Sequence, residues 1–151
     1  MRLGIAADHE GYLLKQQILE ELHDTTIILD YGDLTLNPGD DYPDFVVPLA
    51  KAVANGEIDR GIAICGSGIG VSIAANKINS IRAALVHDEL SVRLGVEDDN
   101  INILCIGAQL TDLPLALKLI HCFTTSHFSE EPRHKRRLAK IEKLEEMENP
   151  L

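Results

Sequence analysis

The run from Gly61 to Lys77, GIAICGSGIGVSIAANK, constrains this chain more than any other part of it. Its first five residues are apolar and uncharged, the length and character of one strand buried on both faces of a parallel sheet. Three glycines then alternate with Ser67 and Ile69, and the small and aliphatic residues of VSIAANK suit a helix packed closely on that sheet. Strand, glycine turn and helix in this order leave main-chain N–H groups unpaired at the helix start, directed beyond the carboxyl end of the strand. The pattern predicts an anion site with the Cys65 thiol at its lip.

Position makes this thiol unlike one in a core. A free cysteine titrates near pH ~8.5 and a helix N-terminus lowers that value, so a thiol placed here can act as a nucleophile or a proton acceptor. The plainer alternative is a small buried residue that closes a strand. The flanking Gly66-Ser67-Gly68-Ile69-Gly70 favours chemistry.

At 151 residues and 45% hydrophobic, the chain is expected to form one domain, residues 1–151, with a full three-layer core. A formal net charge of −10 argues against nucleic acid or an anionic membrane as partner. No stretch has the length of a membrane span or the pattern of a secretory leader, and a soluble, cytoplasmic protein is expected. The three cysteines, Cys65, Cys105 and Cys122, are odd in number and lack metal-type spacing, so no disulfide framework and no metal site is expected. Six of the 14 Lys and Arg residues fall between Arg133 and Lys143. Such a cluster on an acidic chain suits capture of a small phosphate or carboxylate; a solvated helix face would look the same.

In chain order, Arg2 to Ala7 reads as a first strand and Gly11 to Leu22 as an amphipathic helix with Leu14, Ile18, Leu19 and Leu22 inward. Asp8 and His9 lie between them, where Asp8 either caps the helix or faces the crevice in which parallel α/β folds bind ligands. Thr26 to Tyr31 reads as a second strand, followed by a polar loop, Gly32 to Asp41. A helix then runs from Tyr42-Pro43 to Asn55, with Tyr42 either a packing residue or a pocket wall. Arg82 to Val86 gives a fourth strand ending at His87-Asp88. Glu89 to Val96 reads as a helix, Glu97 to Asn100 as a polar connection, and Ile103 to Ile106 as a fifth strand with Cys105 buried. Asp112 and Pro114 start a helix that reaches about Thr125 and carries Cys122 as a core thiol. A basic helix over 130–148 bears an apolar stripe, Leu138, Ile141, Leu144 and Met147, with Arg133 and Arg137 on one face.

Strands alternating with helices predict an α/β fold: a single Rossmann-like three-layer domain with a five-stranded parallel sheet and a C-terminal helix. A dinucleotide site needs its glycines in the first strand-to-helix turn, which here reads Asp8-His9-Glu10-Gly11, and no Walker lysine is present. Asp88, suitably spaced after Gly70, keeps a non-catalytic nucleotide- or phosphate-binding module as the competing class.

The opening A-x-D-H, the Tyr42-Pro43 pair, CGSGIG with the following SIAANK, IRAAL and the final RHKRR resemble, in order and spacing, the sugar-phosphate isomerases of the ribose-5-phosphate isomerase B and galactose-6-phosphate isomerase group. The resemblance spans nearly the whole chain. It implies cofactor-free and metal-free interconversion of an aldose phosphate and a ketose phosphate, with ribose 5-phosphate and ribulose 5-phosphate of the pentose phosphate pathway first. A galactose or allose 6-phosphate is the alternative. It also implies that Cys65 is the base moving a proton between C1 and C2, and that Ser67 with Gly66, Gly68, Ile69 and Gly70 cradles the enediolate. Asp8, His9 and Tyr42 would contact substrate, His9 near the phosphate or assisting ring opening, while Arg133 and Arg137 would hold the phosphate. Homodimers or homotetramers with sites shared between subunits are implied, the terminal helix serving the contact. The chain departs from the pentose pattern twice. Asp98-Asp99-Asn100-Ile101-Asn102 stands where H-N-D-x-N is usual, which makes Asp98 the candidate for ring opening and Asp99 a candidate contact. Gln109 stands where an arginine is usual.

Overall fold

The uncharged run that ends at Cys65 forms the middle strand of a five-stranded sheet, every neighbouring pair of which is parallel. The computed structural model describes residues 1–148, so the last three positions of the expected 1–151 domain lie outside the described residues. The strands are β1 (Leu3–Ala7), β2 (Ile28–Asp30), β3 (Arg60–Cys65), β4 (Ala83–Leu85) and β5 (Ile103–Gly107), in the spatial order β2-β1-β3-β5-β4. The helices are α1 (Tyr12–Leu22), α2 (Pro43–Ala54), α3 (Ile69–Ala75), α4 (Glu89–Asp99), α5 (Leu113–Thr125) and α6 (Pro132–Glu148). No described helix is long and apolar enough to cross a membrane.

Alternation along the central strands divides the core in two. Ile62 and Ile64 join Ile5, Leu104 and Ile106 beneath Leu14, Ile18, Val92, Leu119 and Phe123 of α1, α4 and α5. Ala63 and Cys65 point the other way, with Ala6, Ile103 and Cys105, against Val46 and Leu49 of α2 and Val71 and Ala75 of α3. Small residues on this second face let the helices sit low: a Cβ at Gly61 would lie 3.2 Å from Leu49 Cγ. The sulfur of Cys65 is therefore carried on the α2/α3 face.

Several expected elements have different limits. The second strand keeps only three residues, because the Thr26 N–H closes back onto the Leu22 carbonyl and Ile27 is left exposed. The expected polar connection at Glu97 to Asn100 is instead the last turn of α4. Val96 is buried there, and Asn100, at φ 49°, ends the helix in the left-handed region with its N–H on the Gly95 and Val96 carbonyls. Asp98 and Asp99 are thus helical residues rather than loop residues. Cys122 is only half-buried and directs its Sγ at the Glu89 carbonyl, 3.3 Å away, because α5 meets the start of α4 at that point.

Candidate active site

β1 is followed through α1 by β2 on one side, whereas β3 lies on its other side, so the carboxyl ends of β1 and β3 flank the point where the chain reverses its winding. Open parallel sheets bind ligands there. Asp8 leaves β1 beside β3, its N–H 3.4 Å from the Ile64 carbonyl, and Cys65 is paired in register with Gly107 of β5. Three loops therefore meet: Asp8-His9-Glu10, Gly66 to Gly70, and Ala108-Gln109.

The glycine turn is bound to the end of β5 by main-chain bonds, Ala108 N–H to the Cys65 carbonyl at 2.9 Å and Gln109 N–H to the Gly66 carbonyl at 3.0 Å. Inside it, Gly68 N–H donates to Cys65 Sγ at 3.2 Å and Ile69 N–H donates to Ser67 Oγ at 3.2 Å. Two of the N–H groups expected to be free are thus turned onto the sulfur and the serine. Those of Gly66 and Ser67 have no protein acceptor among the described residues. Gly68 takes φ +77°, open to glycine at little cost. Cys65 is 4% exposed, Ser67 is exposed, and the Tyr42 ring lies over Gly70, where a Cβ would stand 2.5 Å from Cζ. Tyr42 both packs on α3 and borders the turn.

The packing is close enough to test. A Cβ on Gly107 would lie 2.5 Å from the Ser67 carbonyl oxygen, a main-chain atom that cannot swing aside. Gly107→Ala is expected to destabilise the protein by about 1–3 kcal/mol and to displace the turn. Thermal unfolding with Gly39→Ala as control checks this, since a Cβ at Gly39 meets only Asn37 Oδ1 at 3.5 Å.

At the end of β1, both readings of Asp8 hold. Its Oδ1 accepts the N–H groups of Glu10 and Gly11 at 3.0 and 3.1 Å, stiffening the entry to α1, while the residue lies at the crevice. Burial pushes its carboxyl above the usual value in spite of those donors. His9 donates its main-chain N–H to Asp40 Oδ1 at 3.0 Å and sets Nδ1 2.7 Å from the same oxygen. That hydrogen bond raises the imidazole above its ordinary value, the nearby Asp8, Asp40 and Glu10 charges adding to it against some loss of hydration. In return Asp40, which burial alone would raise, is held below the usual carboxylate value by the His9 donors. Asp8, His9 and Asp40 present donor atoms within 4.8 Å of one another, and His9 Nδ1 and Asp40 Oδ1 are hydrogen-bonded to each other.

Not every expected site residue joins this group. α4 starts beyond the carboxyl end of β4 and runs back, so Asp98 and Asp99 lie at the opposite edge of the sheet. Asp98 Oδ1 is 3.5 Å from Nε2 of the buried His134, whose Nδ1 is 2.6 Å from Ser129 Oγ. This places α6 against α4, and the exposed Arg133 and Arg137 with it, away from Cys65 of the same chain. Within one chain Asp98, Asp99, Arg133 and Arg137 stand on α4 and α6 and not beside Cys65, whereas the resemblance implies a site shared between subunits. Asp88 spends both carboxylate oxygens on Ser91, accepting from its N–H and its Oγ at 2.8 Å each, as the cap of α4. It is left no ribose to hold, and the nucleotide reading loses its acid.

The family model described as Ribose/Galactose Isomerase matches residues 3–141. The chain belongs to this family. Ribose-5-phosphate isomerase B of Escherichia coli (strain K12) is 34% identical over 149 residues, 98% of this chain and 99% of that protein. The structure of Clostridium thermocellum ribose-5-phosphate isomerase B superposes with a TM-score of 0.94 at 40% identity, covering 99% of this chain and 100% of that one. The Mycoplasma genitalium ribose-5-phosphate isomerase B structure, with bound ribulose-5-phosphate, gives a TM-score of 0.89 at 37% identity over 96% of each chain.

For a ribose/galactose isomerase, the sequence reading passed over two residues at the crevice. Glu10 extends over the glycine turn, so that a Cβ at Gly66 would fall 1.8 Å from Glu10 Oε2, and Gln109 Nε2 reaches Glu10 Oε1 at 3.5 Å. Asp40 is brought back to His9 by the loop after β2. The available signal was the density of acids in Gly32 to Asp41, a loop leaving the carboxyl end of a strand.

Proposed function

We propose that the protein interconverts ribose 5-phosphate and ribulose 5-phosphate, with Cys65 as the base. The observation that carries this reading is the sulfur seated inside the glycine turn, 3.2 Å from the Gly68 N–H and beside the open N–H groups of Gly66 and Ser67, in a member of this isomerase family. In the open-chain aldose, the Cys65 thiolate takes the hydrogen on C2, and the electron pair forms C1=C2 with the charge on O1. The O2 proton passes to O1, with the Ser67 hydroxyl beside these oxygens, and the proton held by sulfur is returned to C1 to leave a carbonyl at C2. Charge grows on oxygen throughout, and fixed N–H donors in a site largely closed to water stabilise it more than water would.

Incubation with ribose 5-phosphate in deuterated water tests the reading. Ribulose 5-phosphate carrying deuterium at C1 is expected, whereas a binding module yields neither ketose nor label. Galactose 6-phosphate and allose 6-phosphate in parallel arms decide the substrate; faster turnover of either moves the protein to a hexose phosphate.

A second copy of the chain is proposed to bring Arg133 and Arg137 to the sulfur. Both are exposed and remote from Cys65 in one chain, and Ile141, Leu144 and Met147 of the same helix are 44%, 60% and 75% exposed, an apolar stripe without cover in the single chain. Arg137→Ala is expected chiefly to raise KM, because a phosphate contact remote from the reacting carbons is held equally in ground and transition states. Mixing Arg137→Ala with Cys65→Ala subunits should recover part of the activity that each lacks alone. No recovery after exchange of subunits would place each site within one chain. The reaction is assigned to the cytoplasm, where Cys65, Cys105 and Cys122 stay reduced.

A further inference from the structure

Two buried carboxylate oxygens near His9 have no hydrogen-bond partner among the described residues: Asp33 Oδ2 and Asp40 Oδ2. The Asp40 side chain is 6% exposed, and its other oxygen already receives both His9 donors. Asp33 is 7% exposed, and its Oδ1 takes the Thr35 N–H at 3.0 Å. Lys15 cannot serve either orphan, because its Nζ meets Asp33 only at the main-chain oxygen, 2.6 Å away, and is matched in charge by Asp30. A buried acceptor without a donor costs on the order of 1–3 kcal/mol, so Asp40 is held in place by its His9 contacts and not by its second oxygen.

We propose that Asp40 is the positioning residue that holds His9 with its proton on Nδ1 and Nε2 open to substrate. A carboxylate oxygen only accepts, so the 2.7 Å contact fixes Nδ1 as the donor. The neutral ring then has a lone pair at Nε2, which meets no protein group among the described residues, on a side chain 31% exposed. The charged groups around the imidazole are Asp8 and Glu10 from its own loop and Asp40 from the facing loop. Two contacts to one oxygen, from the His9 main-chain N–H and from Nδ1, keep the Asp40 side chain in a single orientation.

The inference rests on the isomerase reading only for the use made of Nε2, and its first measurement needs no substrate. In the ligand-free native protein, nitrogen NMR of His9 is expected to show the Nδ1–H tautomer, with a midpoint above the ordinary histidine range. An Nε2–H tautomer overturns the proposal. Asp40→Asn should lower the midpoint, lose the Nδ1–H signature and reduce kcat by roughly 10- to 100-fold, the scale of one hydrogen bond to a charged group, with KM changed less. If Asp40→Asn leaves the signature in place, Asp40 does not position His9. Nuclear resonance failure and loss of deuterium incorporation are independent results, so this proposal and the isomerase reading fall separately.

Discussion

Replacing Cys65 by alanine is expected to lower isomerisation by roughly 10² to 10⁴, the usual contribution of a positioned base, with the fold intact. The turn around the sulfur does not need it: the bonds from Ala108 and Gln109 to the Cys65 and Gly66 carbonyls are main-chain bonds. What the variant loses is the acceptor of the Gly68 N–H and the atom that takes the proton. Circular dichroism and the unfolding midpoint should therefore stay close to those of the native protein while deuterium transfer collapses. Turnover within a few-fold of native would remove the sulfur from the chemistry. Cys105→Ala is the matched control. Cys105 lies on the same face of the sheet, but burial pushes its thiol up to about 12, with the charge of Cys65 adding to the effect, so it has no part in proton transfer near neutral pH.

The contrast between these two cysteines shows what could be read without coordinates. Both end or interrupt apolar strand runs, and their burial is nearly the same, at 4% and 0%. Cys65 was separable because glycines follow it, and glycines at a strand end mean backbone approach and N–H groups aimed outward. Strand order, by contrast, was not legible. Placing β5 between β3 and β4 depends on Gly107 fitting against the Ser67 main chain, a contact between segments some forty residues apart. Asp98 was misplaced for a related reason. Its polar surroundings suggested a loop, but buried Val96 and the left-handed Asn100 extend α4 by a turn, and Nε2 of His134 from α6 lies 3.5 Å from Asp98 Oδ1. Periodicity reports the face of a helix; it carries no information on which distant side chain will meet its end.

The second large effect concerns stability, and it arises from a residue whose burial runs against its type. Asp30→Ala is expected to cost about 3–5 kcal/mol, because it strands the ammonium of Lys15. Lys15 is 0% exposed, and its Nζ lies 2.8 and 2.7 Å from the two Asp30 carboxylate oxygens and 2.6 Å from the Asp33 carbonyl, with the Tyr12 ring 5.6 Å from it. Once Asp30 is gone, one carbonyl and one aromatic face remain to balance a full charge held out of water. Lys15→Met should cost much less. The Asp30 side chain it leaves behind is 23% exposed, reaches solvent, and keeps the Gly32 N–H at 2.9 Å. The asymmetry separates a buried ion pair from ordinary packing, since a simple loss of contacts would cost at least as much for the larger side chain. Thermal unfolding of the two variants measures it: a midpoint lower by roughly 10 °C for Asp30→Ala and a clearly smaller shift for Lys15→Met. Equal shifts would mean that the lysine does not depend on Asp30 for its charge. The same clamp ties α1 to the segment from Asp30 to Asp33, the start of the loop that carries Asp40 back to His9. Asp30→Ala should therefore weaken the His9 arrangement even at temperatures where the chain remains folded, and the His9 nitrogen signals report that loss directly.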